Sequence, residues 1–291
     1  MRSDDDSWDI TSGVGLTALG VAVLRAAETR RPDALFGDPF AEVLVRAAGS
    51  EQWTRLVSGE PEPELAAAYA PIAASITART RYFDDYVTAA AAAGIQQFVI
   101  VAAGLDARGY RLDWPQGSVL FELDLPAVLE FKAGALAACA PRTVRREVPA
   151  DLRQDWPKAL LDHGFDPHSR TAWLAEGLLR YLPPDAQDRL FADIVELSAP
   201  GSRVALNTLL GEPGHNPERD RHLELGIDLE QLFYSAEGRA HPVDWFAGQG
   251  WATESTTPHE VLTSHGRAVA DGLDEHAILM TAIRPGGDST R

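Results

Sequence analysis

The stretch VIVAAGLDARGYRLDWPQGSVLFELDLPAV, residues 99–128, decides the fold. An apolar run ends in a glycine turn, and about twenty residues later a second apolar run ends in Asp124, the rough spacing of a strand–turn–helix–strand unit that holds a nucleotide. Yet the first turn has Gly104 as its only glycine, with Ala102, Leu105 and Asp106 around it. A pyrophosphate needs further glycines there, because it must lie against the start of the helix. Asp106 at that start would repel a phosphate, whereas Asp124 is placed to accept hydrogen bonds from both hydroxyls of a ribose. A ligand with adenosine and no phosphate satisfies both observations, and S-adenosylmethionine is the commonest such cofactor. The plainer alternative is an ordinary αβ turn with a helix-capping Asp106 and a surface Asp124.

Outward from this unit, short β-branched runs alternate with helical patterns. The runs are 98–103, 119–124, 143–150, 171–177, 203–210, 251–257 and 277–283, with helical segments such as 126–139 and 184–198 between them. In the second helical segment Leu190, Ile194 and Leu197 fall on one face. Strands alternating with helices predict a doubly wound, mostly parallel sheet, and the last two runs an antiparallel edge hairpin. The first ninety residues read as helices. Thr11 and Ser12 can cap a segment carrying Leu16, Leu19, Val23 and Ala27 at helical spacing. Asp38-Pro39 opens a second helix that Gly49 closes. An alanine-rich third, 61–94, is expected to break near Pro71 and to end at Gly94. The expected organisation is an N-terminal helical cap over residues 1–94 and a binding core over 95–291, together one folding unit.

Composition narrows the function. The chain has 291 residues, 45% of them hydrophobic, with a net charge of -17 and a single cysteine, Cys139. Such an acidic field repels phosphate backbones and anionic membrane surfaces, so nucleic acid and lipid headgroups are unfavourable partners. One cysteine excludes an internal disulfide framework and thiolate clusters, and no His/Asp/Glu grouping has metal-ligand spacing. The acidic start of the chain and the absence of a long apolar run predict a cytoplasmic protein.

Further acids follow later runs: Asp151 in PADLRQDW and Glu176 in WLAEGLLRYLPP. A carboxylate at the first position suits an adenine amino group, and one at the second suits a methionine ammonium. Arg79, in TARTRYFDDY, suits a methionine carboxylate. Singly, each reads as well as a solvated charge or a cap; together the three acids Asp124, Asp151 and Glu176 stand at three successive strand ends.

The segments DSWDITSGVG, RPDALFGDPFAE, RTRYFDDYV, VAAGLDARGYRL, FELDLPAVLEFK and WLAEGLLRYL resemble the leucine carboxyl methyltransferase family, and more narrowly its bacterial branch of S-adenosylmethionine-dependent enzymes. The likeness runs from about residue 7 to the C-terminus. It implies a seven-stranded methyltransferase sheet, Rossmann-like, with N-terminal helices covering the cofactor. It also implies Arg79 for the methionine carboxylate, Gly104 for the cofactor's amino-acid end and Asp124 with Leu125 for the ribose. Asp151 with Leu152 would hold the adenine, and Glu176 the region of the ammonium. Ala102 replaces the commoner glycine of the turn, a change expected to cost little. Arg180 stands where many relatives carry an apolar residue, beside the expected transfer site. It reads either as a surface arginine or, with Tyr181, as a substrate-binding pair.

Methyl transfer from a sulfonium is an in-line displacement, so positioning and exclusion of water dominate. A carboxylate acceptor, already ionised at neutral pH, needs no base, whereas a phenol or amine usually does. Of the histidines, His215 falls where substrate-facing loops are expected, His222 is close by and His241 precedes a helix, none with a partner visible in sequence. The expectation is therefore an O-methyltransferase forming a methyl ester on a carboxylate of a small molecule or peptide, with no catalytic residue assigned. Its rivals are a phenol or alcohol O-methyltransferase, a cofactor-binding protein without turnover and, disfavoured by the missing glycines, a nicotinamide dehydrogenase.

Overall fold

A computed structural model of the chain describes residues 10, 13–59, 63–209, 232–269, 272–273 and 276–286. Four helices come first: α1 (Gly13–Thr29), α2 (Pro39–Ala47), α3 (Glu51–Ser58) and α4 (Pro63–Ala92). The α/β alternation follows: β1 (Gln97–Val101), α5 (Arg108–Arg111), β2 (Val119–Asp124), α6 (Pro126–Ala135), β3 (Val144–Pro149), α7 (Trp156–Asp162) and β4 (Thr171–Ala175). It closes with α8 (Pro184–Glu196), β5 (Arg203–Leu209), α9 (Pro242–Gly248), β6 (Ala252–Thr256), α10 (Pro258–Ser264) and β7 (Ala277–Ile283).

All seven apolar runs form strands, in the order β3-β2-β1-β4-β5-β7-β6. The first five pair in parallel, and β7 runs antiparallel to both β5 and β6. The expected edge hairpin is thus only half present. β6 and β7 are antiparallel neighbours, but α10 joins them and β7 inserts beside β5, leaving β6 alone at the edge.

Every residue of β1 and β4 is buried, as central parallel strands covered on both faces require. Their side chains alternate between two cores. Val99, Val101, Phe121 and Trp173 face α7, α8 and α9, and buried Trp173 donates its indole N–H to Ser198 Oγ at 2.9 Å. Phe98, Ile100, Leu120 and Leu174 face Phe83, Val87 and Ala90 of α4 and Val261 and Leu262 of α10. A third cluster joins α1, α2 and α3 to Leu105, Tyr110 and Leu136.

Local signals in the N-terminal helices hold with two changes. Asp38 caps α2, accepting from Ala41 N at 3.1 Å, and Pro39 occupies the first turn. The expected break near Pro71 does not occur, because α4 runs through it. The proline costs about 3 kcal/mol, but the turns after it are held by Phe83, Val87 and Ala90 packed on the sheet. In α1 the buried face is Gly15, Leu19, Ala22 and Ala26, and of the residues read as its apolar stripe only Leu19 is fully buried. The expected caps Thr11 and Ser12 lie outside the described residues, as do His215 and His222. No helix among the described residues is long and apolar enough to cross a membrane.

Candidate active site

Parallel strands of a doubly wound sheet present their carboxyl ends to one side, and ligands bind there. A cavity of about 690 Å³ occupies that position, walled by the residues that follow β1, β2, β3 and β4 and roofed by Val14, Thr17, Val21 and Arg25 of α1. Its volume is ordinary for a cofactor cleft.

The turn after β1 forms its floor. Ala103 N donates to Leu123 O at 3.1 Å and Asp106 N to Ala103 O at 2.8 Å, tying the turn to β2 and to itself. Gly104 has φ +47°, a left-handed conformation glycine adopts freely. Ala102 has φ +53°, the one non-glycine with positive φ among the described residues. The expectation that alanine costs little here is corrected: its Cβ meets the following carbonyl in this conformation, at about 1–2 kcal/mol.

Asp124 ends β2 half-buried. Its Oδ2 accepts from Gly104 N at 2.6 Å and its Oδ1 from Leu125 N at 2.7 Å. Burial pushes its carboxyl above the usual aspartate value, and these two N–H groups only partly offset that. Two backbone donors leave further acceptor sites on a carboxylate. Asp151 and Leu152, past β3, line the same cavity. Asp151 accepts from Arg153 through its backbone N at 2.9 Å and Nη2 at 2.6 Å.

Glu176, just past β4, is enclosed. Its Oε1 accepts from Arg25 Nη2 at 2.7 Å and Arg79 Nε at 2.9 Å, and its Oε2 from Arg108 Nη1 at 2.7 Å. Burial alone would raise its pKa, but the charges of Arg25, Arg108 and Arg79 reverse that and hold it well below the carboxylate range. Arg108, 1% exposed, binds Asp84 Oδ1 at 2.8 Å and also Asp106. Asp106 Oδ1 accepts from the backbone N–H of Arg108 at the start of α5 at 2.7 Å, and its other oxygen pairs with the same residue's guanidinium, so it is held below its ordinary value despite burial. Arg111 completes the cluster with two 2.6 Å bonds to Asp84.

Arg79 spends only Nε on Glu176; its Nη1 and Nη2 make no hydrogen bond among the described residues and lie on the cavity wall. Gly177 packs beside this guanidinium at φ +67°, a conformation glycine adopts freely. Tyr181 lines the cavity and donates to Thr17 Oγ1 at 2.9 Å. Arg180 is no surface residue. It is 7% exposed, with its guanidinium 5.5 Å from the Phe233 ring centre, and it lines a smaller adjoining chamber.

The structure thus gathers Arg79, Gly104, Asp124, Leu125, Asp151, Leu152, Glu176 and Tyr181 on one cavity and sets Arg180 just beyond it. Sequence reading missed Arg25 and Arg108. The available signal for Arg25 was a lone charge in the apolar run of α1. His241 stands at the start of α9, away from the large cavity.

Known proteins share this chain's sequence along nearly its whole length. A protein of Mycobacteroides abscessus named "Putative S-adenosyl-L-methionine-dependent methyltransferase" is 49% identical, over 94% of this chain and 95% of the relative. One of the same description from Rhodococcus jostii is 46% identical, over 98% and 100%. In structure, a "putative methyltransferase" from Thermobifida fusca matches with a TM-score of 0.52 at 17% identity, covering 84% of this chain and 93% of that one, a likeness of fold. Residues 18–195, from α1 to α8, match the leucine carboxyl methyltransferase family. With that match and relatives near half identity, the chain belongs to the leucine carboxyl methyltransferase family and is a methyltransferase.

Proposed function

We propose that the large cavity binds S-adenosylmethionine and that the chain forms a methyl ester on a carboxylate of a small molecule or peptide. The observation that carries this reading is the pair of groups left open on the cavity: the backbone-held carboxylate of Asp124 and the free fork of Arg79. The first suits two ribose hydroxyls, and the second takes the methionine carboxylate in a bidentate grip. Gly104 admits the cofactor's amino-acid end, Leu125 borders the ribose, and Asp151 with Leu152 receives the adenine. Glu176 lies by the ammonium and acts mainly by holding Arg79 in place. The helical segment before residue 94 serves as the cover, its α1 residues excluding water.

The bound cofactor supplies a methyl group on a sulfonium, which passes in line to an acceptor oxygen as the C–S bond breaks. Each acid on the cavity wall already accepts hydrogen bonds from arginine or backbone donors; Asp106 and Glu176 are held below their ordinary values, and Asp124, though raised by burial, is committed to the ribose. None is left to serve as a general base. That favours an acceptor ionised on its own, with a pKa of ~4, over a phenol at ~10. Arg180 and Tyr181 orient the acceptor in this reading, so Arg180→Ala and Tyr181→Phe are each expected to lower turnover.

Calorimetric titration of S-adenosylmethionine, S-adenosylhomocysteine and NAD into the wild type and Asp124→Ala tests the cofactor. Binding of the first two, lost in the variant, is expected; binding of NAD alone overturns the reading. Incubation with methyl-labelled cofactor and pooled carboxylic acids tests the chemistry. Label released as methanol by mild alkali marks an ester, whereas alkali-stable label marks an ether and a phenol or alcohol acceptor.

A further inference from the structure

Beside the large cavity lies a chamber of about 150 Å³ on the α4 and α10 face of the sheet. The two share Arg79, Gly177, Leu178 and Tyr181 as a common wall. The rest of the chamber mixes apolar residues, among them Leu179, Phe233, Ile278 and Leu279, with Ser75, Arg180 and Thr208. One polar side chain stands out. Asn207, near the end of β5 and opposite Leu279 in the β5–β7 ladder, accepts from Gly177 N at 2.7 Å through Oδ1. That bond fixes which way the amide points, since only the oxygen can accept from an N–H. Its Nδ2 makes no hydrogen bond among the described residues, and the side chain is half-buried on the chamber wall.

We infer that this chamber is the acceptor pocket and that Asn207 selects the acceptor: a monocarboxylate with an apolar body no larger than about one phenyl ring. The inference rests on the proposed methyl-ester chemistry. A chamber of about 150 Å³ takes a group of benzene size, which sets the limit. The apolar body fills the chamber, and the carboxylate lies at the shared wall. Asn207 Nδ2 donates to one carboxylate oxygen, leaving the other to attack. The new bond is C–O, the breaking bond is C–S with its pair kept by sulfur, and no proton moves. An amide suits this place better than an acid would, because a second carboxylate would repel the acceptor. The same chemistry arrives as a free acid or as the C-terminal residue of a peptide.

The test uses full-length protein loaded with S-adenosylhomocysteine and titrated with acetate, phenylacetate, N-acetyl-leucine and diphenylacetate. Phenylacetate and N-acetyl-leucine are expected to bind and diphenylacetate to be refused. Binding of only one of the two assigns the source as free acid or peptide end. Asn207→Asp keeps an oxygen for Gly177 N–H while reversing the other contact. It should weaken both ligands about tenfold or more, the worth of a charge-assisted bond, with S-adenosylhomocysteine affinity unchanged. Ser75→Phe, on the α4 wall, should exclude phenylacetate yet admit acetate, and it carries the test alone if Asn207→Asp loses the cofactor product. If S-adenosylhomocysteine binds but no carboxylate does, or if Asn207→Asp binds carboxylates as tightly as wild type, the chamber assignment is overturned and the cofactor reading stands. If S-adenosylhomocysteine itself does not bind, both fall.

Discussion

Asp124 and Glu176 follow the same sequence pattern, an apolar strand ending in an acid, on the two strands that flank β1. Their surroundings differ in kind. Asp124 is gripped by two backbone N–H groups and no side chain, and burial raises its pKa. Glu176 is gripped by three guanidinium groups from α1, α4 and α5, and its pKa is driven down. One acid retains capacity for a ligand; the other has its capacity filled by the protein. Position at a strand end locates a site, and only the partners say whether the acid binds the ligand or holds the residues that do.

Neutralising each acid in turn separates the roles. Glu176→Gln leaves Arg25, Arg79 and Arg108 buried with a lost counter-charge, and removing one partner of a buried ion pair costs about 3–5 kcal/mol. Chemical denaturation should show a loss of that order. Asp124→Asn strands no buried charge but turns an amide NH2 toward one of the two backbone N–H groups, so its stability should fall by about 1–3 kcal/mol, less than for Glu176→Gln. Its affinity for S-adenosylhomocysteine should fall about ten- to hundredfold, the worth of charge-assisted bonds. Equal stability losses in the two variants would break the distinction.

Acidification gives a smaller contrast of the same kind. The folded pKa of Asp124 is raised above 3.8, so on acidification it gains its proton before an exposed aspartate does. The hydroxyls of the cofactor need the ionised form. S-adenosylhomocysteine affinity should therefore be flat at neutral pH and fall on acidification while exposed carboxylates are still ionised; Asp124→Asn should show no such step. For Glu176 the sign is opposite. Its folded pKa is depressed, so its stabilisation is present above the unfolded value near 4.5 and is lost only as the pH falls well below it.

What the sequence revealed and what it hid divide along range of interaction. The strands were legible because buried parallel strands need unbroken apolar runs, and Asp38-Pro39 was legible because a cap acts over three residues. Gly104 and Asp124 were legible because one βαβ unit brings them together. Arg25 was not: it meets Glu176 across 151 residues, a pairing no local pattern records. Arg180 left its setting open for the same reason, since Phe233, far along the chain, covers its guanidinium. Pro71 misled because the rule of helix breaking is local, whereas the contacts that carry α4 through it are tertiary.

Ala102 offers the finest probe, because it sits in the turn that delivers Gly104 N–H to Asp124 and touches neither ionic group. At φ +53° its Cβ carries a strain that glycine would relieve, about 1–2 kcal/mol. Glycine also adds freedom to the unfolded chain, which returns roughly 0.5–1 kcal/mol of that gain. Ala102→Gly should therefore leave stability unchanged or raise it by up to about 1.5 kcal/mol, read as a small rise in melting temperature. S-adenosylhomocysteine affinity should hold if the turn is already locked by its bonds to Leu123 and Asp124. A weaker affinity with equal or better stability would mean that the stiffness of alanine, rather than the hydrogen bonds, keeps the Gly104 N–H aimed at Asp124. The backbone-held acid would then owe its readiness to a strained residue two positions before Gly104.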